Sequence, residues 1–258
     1  MRQETEKMVE IAKEAGKIAM KYFNVLKEHH ISTKDDGSIL TIADTEVDAY
    51  IRKELEDAFP DHSVLSEESE NTKTTEGVFI IDPIDATRNF SAGNPYFAIS
   101  LGFMVNNIPE IGVVYAPAKN ELYIGEENGD AFLNGEKIHI SDNQDLSNTK
   151  ILLDLGLNPI TIEAHAKIAE LFKEQNISLD QKSNCAALDL CSVAKGEVDA
   201  FVHKRARGWD IGAGMVILKS AGGVMCQLDG NNKDLFVPGI IATNPKLKDK
   251  IVAITKDC

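Results

Sequence analysis

Residues 77–90 read GVFIIDPIDATRNF, and the two halves of this segment follow different rules. Gly77 to Ile81 is a continuous apolar run, the pattern of a strand buried on both faces. It ends abruptly at Asp82-Pro83. Proline cannot continue a hydrogen-bonded ladder. The chain is therefore expected to turn, with Ala86-Thr87-Arg88-Asn89-Phe90 as a helix start and Asp85 at its N-cap. Asp82, Asp85 and the Ile84 carbonyl then meet at one turn. Three oxygen donors within four residues suit a hard divalent cation. The unpaired N–H groups of a helix start beside them suit phosphate oxygens, and Thr87 adds a hydroxyl. Taken alone, the same segment is more often an Asp-capped junction and nothing more, since Asp is a common cap, so its neighbours decide.

Upstream, His62-Ser63-Val64-Leu65-Ser66 reads as a short strand ending in Glu67-Glu68. If it lies beside the strand at 77–81, the two C-terminal ends meet and Glu67 joins the aspartates. A helix over 43–58 carries Val47, Tyr50, Ile51 and Leu55 on one face and has Asp44 at its start. A polar loop over 32–38 contains Lys34. A long helix over 4–29 repeats Met8, Ile11, Ala15, Ile18, Tyr22 and Leu26 at helical spacing.

Downstream, apolar runs at 97–105, 110–116, 121–125, 130–133 and 137–140, separated by Asn, Pro and Gly turns, read as an antiparallel meander. The polar stretch 141–150 is the best candidate boundary. It divides a first half, 1–145, with most of the acidic cluster, from a second half, 146–258. In the second half strands at 150–155, 197–202, 224–228 and 239–242 alternate with helices at 162–174, 185–195 and 210–220. Trp209-Asp210 opens the last helix, whose small residues Gly212, Ala213 and Gly214 are the mark of close packing. Asp44, Asp85 and Asp210 are thus three acids expected at helix starts.

The composition narrows the function classes. Asp and Glu number 41 against 27 Lys and Arg, a formal charge of −14. Such a surface repels a polyanion, which argues against nucleic acid as a partner. No apolar run approaches the roughly 18 residues of a membrane span, and the polar N-terminus lacks a signal-peptide core. The expected compartment is the cytoplasm, with no membrane partner. Cys185, Cys191, Cys226 and Cys258 show neither a C-x-x-C pair nor zinc-finger spacing, so they read as thiols in a reducing compartment. An acidic site can hold an anionic phosphate only if cations stand between, which again points to metal ions.

Several ordered segments resemble the inositol monophosphatase family, whose relatives often act as fructose-1,6-bisphosphatases. They are TIADTEVD (41–48), EES (67–69), DPIDATRNF (82–90), AALDLCSVAKGEVDA (186–200) and WDIGAGMVILKSAGG (209–223). The resemblance implies an α+β fold, a layered αβαβα sandwich of the sugar-phosphatase type. A mixed, largely antiparallel sheet belongs to the first half and a smaller α/β unit to the second. It implies two to three Mg²⁺ ions per site: Glu67, Asp82 and the Ile84 carbonyl on the first, Asp82, Asp85 and Asp210 on the second, and a weaker third near Glu67. Asp44 and Thr87 would orient the attacking water, and Lys34 would lie in an active-site flap. Asp85 and the N–H groups near Ala86 and Thr87 would meet the phosphate. Asn184, His203, Lys204, Arg205 and Arg207 would contact the rest of the substrate; against the acidic composition, the basic cluster of the last three reads either as a solvated strand end or as a grip on a second phosphate. The implied substrate is a small phosphorylated sugar or polyol, inositol 1-phosphate or fructose 1,6-bisphosphate, and the implied assembly a homodimer or homotetramer. Two other functions compete: a phosphatase of 3′-phosphoadenosine nucleotides or NADP, and a catalytically inactive metal-binding regulator. Two positions depart from the family pattern, Ala86 and Asn184, where relatives usually have Gly. Ala86 is expected to be an ordinary first helical residue, and Asn184 to tolerate a left-handed backbone.

Overall fold

The computed structural model describes residues 1–34, 37–68, 76–153, 159–180, 184–232 and 237–257. Ser69 of the EES motif, the end of the strand expected at 150–155, and Cys258 lie outside these residues.

Helix α1 (Gln3–Tyr22) leads to a small hairpin, β1 (Ile31–Thr33) and β2 (Ile39–Thr41), then to α2 (Ile42–Ala58). The first helix stops short of the expected residue 29. Phe23 turns extended and packs its ring on Phe97 and Phe90, at 5.2 and 5.8 Å. The flanks of the loop expected at 32–38 pair as the hairpin.

Strands β3 (Ser63–Ser66), β4 (Gly77–Asp85), β5 (Ala98–Val105), β6 (Ile108–Ala116), β7 (Glu121–Glu126), β8 (Ala131–Leu133) and β9 (Glu136–Ile138) form a seven-stranded sheet in sequence order. Only β3 and β4 are parallel; every later pairing is antiparallel. Between β4 and β5 sits a short helix, α3 (Thr87–Ser91). The second sheet runs β11 (Ser178–Asp180), β10 (Lys150–Leu153), β12 (Ala200–His203), β14 (Ile240–Thr243) and β13 (Val224–Cys226) across its width. Helices α4 (Pro159–Glu174), α5 (Ala186–Ala194), α6 (Gly208–Ser220) and α7 (Lys248–Thr255) complete the chain. The hairpin, β11 and α7 were not anticipated; elements of three residues or one short helix carry too little periodicity to register.

Period-two alternation explains the layering. On the large sheet Phe79, Ile81, Ile99 and Leu101 face α1 and α2, packing on Met8, Ile11, Val47 and Ile51. The opposite face carries Ile80 and Val114 against α5 and α6, which also meet Leu152, Phe201 and Ala242 of the small sheet. The far side of that sheet, Ile151, Leu153 and Val202, is covered by Ile168 and Phe172 of α4 and Ile251 of α7. The result is the expected αβαβα sandwich, with α5 and α6 as its middle layer.

That middle layer is seated closely. A Cβ at Gly112 would stand 2.1 Å from the Ala213 carbonyl oxygen, and one at Gly214 would stand 2.5 Å from Leu190. Glycine at both positions lets α6 press between the large sheet and α5, which brings the N-terminus of α6 beside the end of β4.

Candidate metal and phosphate site

Four segments deliver the acidic cluster. β3 and β4 are parallel neighbours, with Ser66 opposite Ile81, and the Glu67 N–H donates to the Ile81 carbonyl at 3.3 Å. Glu67 therefore emerges beside Asp82, as the sequence suggested. β4 does not stop at Asp82. It continues to Asp85 through a register irregularity, Asp82 facing Ser100 and Asp85 facing Ala98. This bulge absorbs Pro83 and re-aims the two acids. The Ile84 N–H donates to Asp82 Oδ1 at 3.1 Å.

The helix starts differ from expectation in a consistent way. Asp85 is the last residue of β4 rather than an N-cap. Asp44 and Asp210 are each the third residue of their helices, α2 being capped by Thr41 and α6 by Arg207. An acid at the third position can reach back to the capping residue's N–H. Asp44 Oδ2 accepts from the Thr41 N–H at 2.8 Å and from its hydroxyl at 2.5 Å, and Asp210 Oδ2 accepts from the Arg207 N–H at 2.7 Å. In each case one carboxylate oxygen is held and the side chain is oriented.

Ala86 is not an ordinary helical residue. It is the N-cap of α3 with φ 72°, in the left-handed region. The chain must leave β4 and enter α3 over this single residue, and that turn requires positive φ. Asn184 also has positive φ, 77°, so its expected tolerance of that conformation is used.

Carboxylate oxygens of Glu67, Asp82 and Asp210 all lie within 4.8 Å of one another. Burial first, then repulsion from Glu67, Asp85, Asp210 and Asp44, pushes the Asp82 carboxyl well above its ordinary range. Burial and the Asp85 charge push Asp210 up to about 7. Like charges this close around the buried Asp82, with Glu67 and Asp210 half-buried, are costly unless a cation compensates them, and an all-oxygen donor set is that of a hard divalent ion. The residues fit a metal centre on that ground. Asp44 is likewise buried, which pushes it up to about 6 against the hydrogen bonds from Thr41 and Thr87. The Thr87 hydroxyl lies 2.9 Å from Asp44 Oδ1 and 3.1 Å from the Ile84 carbonyl oxygen, with geometry to donate to either. The Lys34 ammonium bonds Glu67 at 3.0 Å and Glu68 at 2.7 Å, so the hairpin end is tied to the cluster. Burial, partly offset by Lys34, pushes Glu68 up to about 7.

Glu67, Asp82, Asp85, Ala86, Thr87 and Asp210 line one side of a cleft of about 290 Å³, with Asp44 and Lys34 behind that wall through Thr87 and Glu67. Ser38, Ile39, Arg88, Asn184, Ala186 and His203 form the rest of the wall. The structure brings His203 and Asn184 to the cleft but not Lys204, Arg205 or Arg207. The buried Ala206 anchors the turn after β12 and leaves Arg205 and Arg207 exposed, with the Arg207 guanidinium 5.6 Å from the Trp209 ring centroid. Sequence reading missed Arg88. Its signal was available, a cation directly after Thr87, but helix periodicity says nothing about which wall an exposed residue joins. The Arg88 guanidinium donates to the Gly37 carbonyl at 2.6 Å.

The same chain matches known proteins along its whole length. A curated inositol monophosphatase of Mesembryanthemum crystallinum is 34% identical over 258 residues, covering 96% of this chain and 94% of that one. A fructose-1,6-bisphosphatase/inositol-1-monophosphatase of Thermotoga maritima is 35% identical over 219 residues, covering 85% and 83%. Among solved structures, the IMPase of Thermotoga maritima superposes with a TM-score of 0.89 at 30% identity, covering 99% of this chain and 98% of that one. The model of the inositol monophosphatase family spans residues 1–258. Acids gathered from β3, β4 and α6 in this layered fold, together with that full-length match, make the chain a member of the inositol monophosphatase family and a phosphoric monoester hydrolase.

Proposed function

We propose that this protein is a Mg²⁺-dependent phosphatase of small phosphorylated sugars or polyols, with inositol 1-phosphate and fructose 1,6-bisphosphate as the substrates to test first. The observation that carries the reading is the approach of Glu67, Asp82 and Asp210 oxygens to within 4.8 Å, next to the Asp44–Thr87 pair. Glu67, Asp82, Asp85, Asp210 and the Ile84 carbonyl would hold the ions. When bound, Mg²⁺ supplies Lewis-acid polarisation of phosphoryl oxygens and lowers the pKa of water.

The chain's own residues do the rest. Thr87 Oγ1 can accept a hydrogen bond from an attacking water while donating its proton to Asp44 Oδ1. Asp44, pushed up to about 6, is ionised at neutral pH yet basic enough to share that proton. Lys34 offsets the charge of Glu67 and Glu68 and ties the hairpin over the site. On the opposite wall Arg88, His203 and Asn184 offer donors to the substrate's body. Every carboxylate lining the cleft belongs to the metal group, so polyol hydroxyls meet few acceptors there, whereas a second anionic group meets Arg88.

The test is phosphate release from a panel of inositol 1-phosphate, fructose 1,6-bisphosphate, NADP and 3′-phosphoadenosine 5′-phosphate, with and without Mg²⁺. Mg²⁺-dependent turnover confined to the first two supports the proposal. Turnover only of the nucleotides, or none at all, overturns it.

A further inference from the structure

Asp85 belongs to the first half of the chain, but its carboxylate is held by the second. The Ala187 N–H donates to Asp85 Oδ2 at 2.7 Å, and the Cys185 thiol lies 3.2 Å from the same oxygen and 3.8 Å from the Asp85 backbone carbonyl oxygen, the nearer carboxylate being the stronger acceptor. All three groups are buried. Cys185 is the N-cap residue of α5, and its side chain makes no capping hydrogen bond. Asp85 takes over that role, since Ala187 is the second residue of α5 and its N–H is one of those an N-cap side chain ordinarily satisfies. A carboxylate 102 residues away therefore caps α5. Asn184, at φ 77°, makes the turn that presents both donors.

We propose that Cys185 is a positioning residue for metal binding, its S–H and the Ala187 N–H together fixing the orientation of the Asp85 carboxylate. This rests on the reading of Asp85 as a metal ligand. With Oδ2 held by two donors, the carboxylate cannot swing without breaking them. Loss of the thiol removes one of the donors that hold Oδ2 and loosens the carboxylate. Partners that orient ligating carboxylates are typically worth about 10- to 100-fold in metal affinity.

The experiment is Mg²⁺ titration calorimetry of the full-length wild type, Cys185→Ala and Cys185→Ser, paired with the Mg²⁺-induced shift in melting temperature. Circular dichroism first establishes that each variant is folded. The expected result is that Cys185→Ala weakens Mg²⁺ binding about 10-fold and shrinks the thermal shift. Cys185→Ser, which restores a donor of similar size, should stay within about 3-fold of wild type, as hydroxyl-to-carboxylate bonds are at least as strong as thiol ones. Unchanged affinity in Cys185→Ala overturns the proposal, as does equal loss in both variants, which would make the thiol a packing element. If Cys185→Ala does not fold, the serine variant decides: wild-type affinity supports the donor role and a 10-fold loss overturns it. A wild type that takes up no Mg²⁺ would instead defeat the metal reading, and this inference with it, a result distinguishable because it precedes any substitution.

Discussion

The Thr87 hydroxyl lies 2.9 Å from Asp44 Oδ1 in hydrogen-bonding geometry, joining two residues 43 positions apart in the chain. Thr87 opens α3 and Asp44 sits in the first turn of α2, so the pair exists only because two helix starts face one another across the end of β4. Its asymmetry matters: Asp44 Oδ2 is fully engaged by Thr41, leaving Oδ1 to work with Thr87.

Removing the acid from this pair should slow turnover without loosening the metals. Asp44→Asn is expected to lower kcat about 10²- to 10⁴-fold, the usual worth of a positioned general base, with Mg²⁺ affinity little changed. Thr87→Ser should keep most of the activity and Thr87→Val should lose it. Steady-state kinetics beside Mg²⁺ calorimetry would check both, and a kcat for Asp44→Asn within 3-fold of wild type would remove Asp44 from the mechanism.

Asp82 stands at the centre of the repulsive cluster. Asp82→Asn should abolish Mg²⁺-dependent turnover and the Mg²⁺-induced thermal shift. In the absence of metal the same variant should melt higher than wild type, because it deletes a buried charge among like charges. A gain of about 1 kcal/mol corresponds to roughly 2–4 °C in a chain of this size. Melting in EDTA gives the answer, and a lower melting temperature would contradict the account of the cluster.

The dependence on pH has a definite sign. The folded-state values of Asp44, about 6, and Asp210, about 7, lie above the ordinary 3.8. Their contribution to the stability of the metal-free protein is therefore fully present below about pH 4 and is lost as pH rises through 6 and 7. Mg²⁺ should restore it by competing with protons. The Mg²⁺-induced rise in melting temperature is thus expected to grow from pH 5.5 to pH 7.5, and a shift that is constant or shrinks over this range would refute the linkage.

On the substrate wall, Arg88→Ala should cost more for fructose 1,6-bisphosphate than for fructose 1-phosphate. A lost charge-assisted bond corresponds to about 10-fold or more in kcat/KM, while the monophosphate should change by less than about 3-fold. Equal losses on both would assign Arg88 to anchoring Gly37 alone.

Ala86 holds a left-handed φ that costs an L-residue about 1–2 kcal/mol, whereas glycine there would lose about 0.5–1 kcal/mol in unfolded-chain entropy. Ala86→Gly should consequently stabilise the protein by roughly 0.5 kcal/mol at unchanged activity. Urea denaturation would measure it, and destabilisation by 1 kcal/mol or more would show that the methyl group packs usefully.

Much of this architecture was legible in the amino-acid order. The apolar run 77–81, the meander after residue 97 and the helical periodicities of 43–58 and 210–220 are local patterns, and each produced its element because burying those faces dominates the energetics. The gathering of Glu67, Asp82 and Asp210 was legible too, since a parallel pairing of two neighbouring strands and an acid in the first turn of a helix are both written locally. What the order of residues could not decide was which atoms meet. The bulge past Pro83, the left-handed Ala86, the capping of α5 by Asp85 and the placing of Arg88 rather than Lys204, Arg205 or Arg207 on the cleft wall all depend on how β4, α5 and α6 dock. Docking is set by close packing between distant segments, through contacts such as Gly112 on Ala213, and no pattern read along one segment contains it.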